Sequence, residues 1–438
     1  MTRLLLDVSS LTRWTGPPVG IVRVEHALAR AARSRPDTTL CVWDKRARGF
    51  RALRPDWAET VLGWGGAIDV PARRQSRFSR QPLFSALERV RLTSPVPGAA
   101  VAAGWLQDAL LAPRRHGHRQ RDAAGRRIAH VPAGLALGGD AGLGRGDVLF
   151  SAGSDWFHLE AAELGALKQR QGFRYAAMCY DLIPLTHPQF YAPAEVALVR
   201  EHWRAALPLA DLVIANAHCI AADVARFCRA EGLPPPQTAV LPLGYDPPRA
   251  GSGPLPAPLE PNRYALFVST IEPRKGHAML LRVWRRLLAR GVPQRQRFRL
   301  VFAGRAGWMV DDVLAQLAGG AGLEGTVLHL TGLGDDALHG LYTHAAFAVY
   351  PSQYEGFGLP VVEAFAHGKP VLASTGGALP ETVAGACPCL APDDEDEWET
   401  ALAGWIEHPE QLSGFQAPGS LPGWEKAAAD ILDRAAAL

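Results

Sequence analysis

The chain has 438 residues, 48% of them apolar, with 46 basic against 43 acidic side chains and a formal net charge of +3. That length can bury more than one sizeable core, so two or three domains are expected, and so small a net charge gives no reason to expect nucleic acid as a partner. Six cysteines (Cys41, Cys179, Cys219, Cys228, Cys387, Cys389) include no C-x-x-C pair and predict neither a zinc site nor a disulfide framework. The opening MTRLLLDVSSL turns polar too soon for a signal peptide, and no run reaches the ~18 apolar residues of a spanning helix. A cytoplasmic protein, at most peripheral to the inner face of a membrane, is the expectation.

In chain order, the pattern predicts a strand over Arg3–Val8, a loop rich in Gly and Pro, and a helix over Val22–Ala32. Strands recur at Thr39–Trp43, Asp147–Phe150, Tyr175–Cys179 and Leu212–Ala215, with helical stretches between them. Such alternation is what a doubly wound α/β sheet requires. Between Arg73 and Arg127 stand 12 arginines against three acids (Glu88, Asp108, Asp122), interleaved with Phe78, Phe84 and Trp105. This stretch reads either as a surface for anionic lipid headgroups or a phosphorylated acceptor, or as a solvated basic face.

From residue 247 to 262 the chain is dense in Pro and Gly and has no periodicity, the mark of a linker. The alternation then restarts: strand Tyr264–Ser269, helix His277–Ala289, strand Arg299–Ala303, helix Val310–Leu317, strand Val327–Leu330, helix Asp335–Thr343, strand Phe347–Tyr350 and helix Leu359–Ala366. Domain bounds of 1–246, 263–415 and a closing helical segment 416–438 follow. That last segment, SLPGWEKAAADILDRAAAL, has an amphipathic pattern starting at Gly423-Trp424.

Two constellations carry chemistry. In STIEPRKGHAMLL, Arg274 and Lys275 stand just before a helix near His277, so two fixed cations and a helix N-terminus converge on one point. That is the charge a departing diphosphate needs, because negative charge grows on the β-phosphate as its bond to a sugar breaks. In PSQYEGFGLPVVEAFA, Glu355 and Glu363 lie eight residues apart around the turn Gly356-Phe357-Gly358 that opens a helix at Leu359. Ligands of open α/β sheets bind at the carboxyl ends of strands. Glycines allow close backbone approach there, while carboxylates accept from sugar hydroxyls. Two further strand-exit loops, Gly304-Arg305 and Thr331-Gly332-Leu333, are placed to frame a nucleotide. Gly332, Gly334 and Ala337 satisfy a G-x-G-x-x-A pattern, but in the third βα unit and without an acidic partner, so a nucleoside-contacting turn is the reading rather than a dehydrogenase fingerprint.

EGFGLPVVEA, followed by GKPVLAS, Gly376-Gly377 and Pro380-Glu381, resembles the E-x7-E signature of retaining family 4 glycosyltransferases. The resemblance is strong from Tyr264 to Leu390 and looser before it. It implies a GT-B fold, two Rossmann-like domains facing a cleft, and a nucleotide-sugar donor. By resemblance Glu355 contacts the donor sugar and Glu363 the ribose, Gly358 and Leu359 carry the diphosphate, Gly356 and Phe357 of the same turn join the donor contacts, and Arg274 with Lys275 forms the phosphate loop. Gly16 and Gly20 match the glycine-containing first loop, and Asp181, in CYDLIPLTHPQFY, the loop that reads H-D-x-x-P in relatives. Two departures stand out. Tyr180 occupies the histidine position, and Ser269 and Thr270 stand where many members carry an earlier arginine. Asp181 reads equally as a loop cap, and Asn216 as an acceptor contact or a helix cap.

The resemblance further implies transfer with retention, the leaving phosphate helping to take the acceptor proton. The E-P-R-K order looks most like members that move mannose from GDP-mannose onto a bacterial polysaccharide or lipid-linked glycan. A UDP-sugar donor, a nucleotide-sugar epimerase and a catalytically degenerate nucleotide-sugar-binding protein are the alternatives. Beyond the nucleotide-sugar substrate no cofactor is expected. No metal is expected either: Asp394 to Asp396 form a D-x-D, but inside the acidic run DDEDEWE, which reads as a helix start.

Overall fold

The computed structural model describes residues 2–14, 20–45, 47–63, 66–69, 129–132, 136–245, 255–319, 322–323, 325–419 and 421–438. The basic stretch 73–127, Gly16 and the first half of the linker lie outside the described residues.

The first domain is built on β1 (Leu4–Asp7), β2 (Thr38–Asp44), β3 (Gly49–Leu53), β6 (Leu137–Asp140), β7 (Val148–Ser151), β8 (Arg174–Cys179), β9 (Leu212–Ala215) and β10 (Thr238–Val240), in the order β10-β9-β8-β7-β1-β2-β3-β6. A separate parallel pair joins β4 (Gly66–Asp69) to β5 (Ala129–Pro132). From β10 to β2 all neighbours run parallel. β3 and β6 extend the edge antiparallel. The alternation read from the sequence contains neither of these: β3 follows β2 through a short turn after Asp44 with no intervening helix, so a strand-helix period passes over it. Buried parallel strands read as unbroken apolar runs because helices cover both faces, and β1, β7 and β9 are buried throughout.

The second domain has six parallel strands, β11 (Tyr264–Val268), β12 (Arg299–Ala303), β13 (Val327–Leu330), β14 (Phe347–Tyr350), β15 (Val371–Ser374) and β16 (Cys389–Leu390), ordered β13-β12-β11-β14-β15-β16. Order reverses between β11 and β14, a topological switch point where a crevice opens. The loops after these two strands are the E-P-R-K and E-x7-E segments.

Six helices matter for the site: α1 (Ser9–Arg13), α2 (Ile21–Ala32), α3 (His218–Glu231), α4 (His277–Ala289), α5 (Leu359–Ala366) and α6 (Trp424–Ala436). α6 closes the chain on the first domain. Its Ala428, Ile431, Leu432 and Ala435, spaced on one helical face, share a core with Leu28 and Ala32 of α2, and Arg35 pairs with Asp433. The acidic run starts a helix as expected, with Asp394 accepting from the Glu397 amide at 2.9 Å. It is also neutralised by α4, whose Arg282, Arg286 and Arg290 pair with Glu395, Asp396 and Glu399.

Candidate functional site

The switch point brings the two constellations into direct contact. Gly276, at φ +81°, lets the cationic loop lie against the exit of β14: a Cβ there would stand 2.3 Å from Pro351 O, and a left-handed φ already disfavours other residues. Lys275 Nζ donates to Glu355 Oε1 at 2.5 Å, Arg274 Nη1 to Glu355 Oε2 at 3.0 Å, and Ser352 Oγ to Glu355 Oε1 at 2.7 Å. Arg274 Nη1 also donates to Tyr354 O, and Arg274 Nε faces Glu272 Oε2 at 3.1 Å. Glu355 is 9% exposed.

Burial by itself would raise the Glu355 carboxyl. The Lys275 and Arg274 charges and the hydrogen bonds from Lys275 and Ser352 outweigh it and hold the group down to about 2. Burial likewise works against the Arg274 charge, yet Glu355 and Glu272 more than offset it and raise its pKa above the ordinary arginine value. Glu355 and Arg274 are therefore both ionised at neutral pH, and Arg274 and Lys275 are anchored at the N-terminal end of α4. Guanidinium and ammonium have five and three N–H donors, so engaging Glu355 leaves donors for a phosphate.

The first domain closes directly over this cluster. A Cβ on Gly356 would come 2.5 Å from Tyr180 O and 3.0 Å from Asp181 Cβ, so glycine there is what lets the domains touch. Asp181 Oδ1 accepts from the Ile183 amide at 3.1 Å, the local turn bond of a loop cap. Its pKa is raised by burial first, and the nearby Arg274 charge opposes that rise. Tyr180, in the histidine position, points away from the cluster: its hydroxyl donates to Ala152 O at 2.6 Å. Asn216 does not cap α3. Its Nδ2 donates to Tyr180 O, while the α3 amides of His218 and Cys219 are capped at 2.7 Å each by Glu381 of the second domain.

Around the centre the expected residues divide. Gly358, at φ +93°, starts α5, and Glu363 lies one turn inside. Glu363 accepts from Tyr342 Oη at 3.0 Å and from Arg23, which reaches over from α2 just past Gly20. Gly304 packs tightly on the neighbouring loop, where a Cβ would stand 2.0 Å from Ser269 O, and Arg305 beside it is exposed. Gly332 is exposed, whereas Leu333 packs on the second core. The Phe357 side chain is 7% exposed and shares a core with Tyr180 and Val362, and its carbonyl accepts from the Thr382 hydroxyl. Leu359 packs against the same core.

Sequence reading missed Ser352, Glu272, Arg23, Tyr342 and an aromatic rim. In that rim Tyr191 faces Trp308 at 5.6 Å, His187 faces Tyr354 at 4.7 Å, and the Trp308 indole donates to Phe190 O at 2.7 Å. Each pair joins the two domains, a partnership that only folding reveals. Ser352 had a local signal, since it stands three residues before Glu355.

Residues 256–416 match the family model described as Glycosyl transferases group 1. The chain is similar to O-antigen chain mannosyltransferase B of Escherichia coli, 42% identical over 133 residues, which are 30% of this chain and 34% of that protein. It is also similar to MMP alpha-(1->4)-mannosyltransferase of Mycolicibacterium hassiacum, 34% identical over 210 residues, 45% of this chain and 48% of that one. The chain thus spans between a third and a half of the length of these curated relatives. Among solved structures, Anabaena Alr3699/HepE in complex with UDP and glucose aligns over 100% of both chains with a TM-score of 0.59 at 18% identity. Sucrose-phosphate synthase from Thermosynechococcus elongatus aligns over 99% and 98% with a TM-score of 0.55 at 18% identity. The architecture is therefore GT-B, and its second domain, which holds the Glu355 cluster, carries the Glycosyl transferases group 1 match.

Proposed function

We propose that this protein is a retaining, metal-independent glycosyltransferase that moves a hexose from a nucleoside diphosphate onto a glycan, with mannose from GDP-mannose as the leading donor. The observation that carries this is the ionised Glu355–Lys275–Arg274 cluster, set between the start of α4 and Asp181 of the facing domain. Lys275 and Arg274 take the diphosphate and stabilise the charge that develops as it leaves. Glu355, unable to take a proton near neutral pH, accepts from hydroxyls of the donor hexose and holds both cations in register. Glu363 takes the ribose, which requires exchanging its contact with Arg23. The acceptor enters from the Asp181 side, and its proton passes to the leaving phosphate. The names of similar proteins, an O-antigen chain mannosyltransferase and an MMP mannosyltransferase, support mannose as the sugar and a saccharide as the acceptor. No helix among the described residues is long and apolar enough to cross a membrane. We place the enzyme at the cytoplasmic face, where the 73–127 stretch would meet anionic lipid.

The test is a transfer assay with GDP-mannose and a mannose-terminated oligosaccharide, with and without added Mg²⁺ or Mn²⁺, the product's anomeric configuration being read by NMR. An α-linked product formed at a rate that the added ion leaves unchanged is expected. A β-linked product would sink retention, an ion-dependent rate would sink metal independence, and binding without turnover of any sugar nucleotide would favour the degenerate binding protein.

A further inference from the structure

Beneath the first domain's side of the cleft lies a polar cluster that the donor chemistry does not use. Asp7 ends β1, Asp155 and His158 follow β7, and all three are buried, at 1%, 5% and 4% exposure. One carboxylate oxygen from each aspartate and one nitrogen of His158 lie within 4.8 Å of one another. His158 Nε2 is 3.5 Å from Asp155 Oδ1 and 3.8 Å from Asp7 Oδ2. Both His158 Nε2 and Asp155 Oδ1 lack a hydrogen-bond partner. Glu25, wholly buried on α2, lies against the same loop, where a Cβ on Gly153 would meet its Oε1 at 3.3 Å.

Buried polar atoms are rarely left unpartnered, and here two face each other 3.5 Å apart on Asp155 and His158. The other groups are committed. Asp7 Oδ1 accepts from the Ser9 amide at 2.9 Å and from its hydroxyl. Ser151 Oγ donates to Asp7 Oδ2 at 3.3 Å. Arg13, the cation of the cluster, donates to Ser9 O and Trp43 O.

We infer that Asp7, Asp155 and His158 form a structural site for a divalent ion of the zinc or manganese kind. Two carboxylates and an imidazole are the oxygen and nitrogen donors such ions take. Two ligands at about 2.0–2.1 Å in a tetrahedron stand about 3.4 Å apart, close to the measured His158–Asp155 separation. The ion ties the end of β1 to the segment that follows β7. It lies outside the Lys275–Glu355 centre and takes no part in transfer.

Protein purified without chelator or a metal-affinity step is analysed for bound metals by mass spectrometry. It is then stripped, and its melting temperature is followed as Zn²⁺ or Mn²⁺ is returned. About one equivalent per chain and a rise of several degrees on return are expected. Asp155→Asn with His158→Gln should lose the equivalent, while Asp394→Asn with Asp396→Asn, at the exposed acidic helix start, should keep it. Less than about a tenth of an equivalent together with no melting shift in the wild-type protein overturns the inference, even if the buried variants fail to fold. So does metal retained by the Asp155/His158 variant.

Discussion

Glu355→Gln separates the electrostatics of the site from its shape. The substitution keeps volume and one acceptor oxygen but removes the charge that Lys275 and Arg274 face at 2.5 and 3.0 Å. A carboxyl held at about 2 instead of 4.5 corresponds to about 3 kcal/mol of stability at pH 7, at about 1.4 kcal/mol per unit. Leaving a buried pair half broken costs about 3–5 kcal/mol in other proteins, the same order. Because the folded value lies below the unfolded one, the stabilisation is complete above about pH 5.5 and is lost as pH falls through 4.5 toward 2. Roughly 1.4 kcal/mol should be gone by pH 3.5. The assay is thermal unfolding of wild type and variant, followed by tryptophan fluorescence between pH 7 and 3.5. At about 2–4 °C per kcal/mol for a domain of this size, the second domain's transition should fall by about 6–12 °C at pH 7, and the gap should narrow on acidification. A gap under 2 °C at pH 7, or one that does not shrink by pH 3.5, would refute the view that Glu355 is an ionised anchor for both cations.

Other outcomes follow from the same geometry. Glu355→Ala should abolish transfer while sparing affinity for the free nucleoside diphosphate, as read by calorimetry; normal transfer would show the residue misassigned. Gly356→Ala, whose Cβ would meet Tyr180 O at 2.5 Å, should lower kcat by holding the domains apart and leave diphosphate affinity within about twofold; an unchanged kcat would mean that closure at this point does not limit transfer. Glu381→Ala uncaps α3 and should cost about 1 kcal/mol, seen as earlier unfolding in urea; no change in the midpoint would show the cap to be idle. Reversing several arginines between Arg73 and Arg127 should release the protein from anionic vesicles in a sedimentation assay, and unchanged sedimentation would leave that stretch a solvated surface.

The second domain was legible because its information is local. β11 and β14 are unbroken apolar runs, β12 and β13 are broken only by Arg299 and His329, and the two halves of the Glu355 cluster each lie in one short motif after a strand. What could not be read depends on partners far apart in the chain. Arg23 and Glu363 are separated by 340 residues, as are the halves of the aromatic rim by more than a hundred. The letters of the signature turn do not say that the Phe357 side chain packs into a core with Tyr180 of the other domain, since an exposed turn and one pressed on a second domain read alike. Asn216 shows the same limit: the cap it was expected to supply comes from Glu381 in the other domain. The buried Asp7–Asp155–His158 cluster was invisible for a related reason, since its members come from two strands 144 residues apart that only the parallel pairing of β1 with β7 brings together.

Calorimetric titration of wild type and Lys275→Ala with GDP, UDP, ADP and their sugar conjugates tests the central claim most directly. The account predicts saturable binding of one nucleoside diphosphate class by wild type, and a loss of about ten- to a hundredfold in the variant, the worth of a charge-assisted hydrogen bond of about 1.5–3 kcal/mol. Equal affinity in the two proteins, or no binding to wild type, would contradict it.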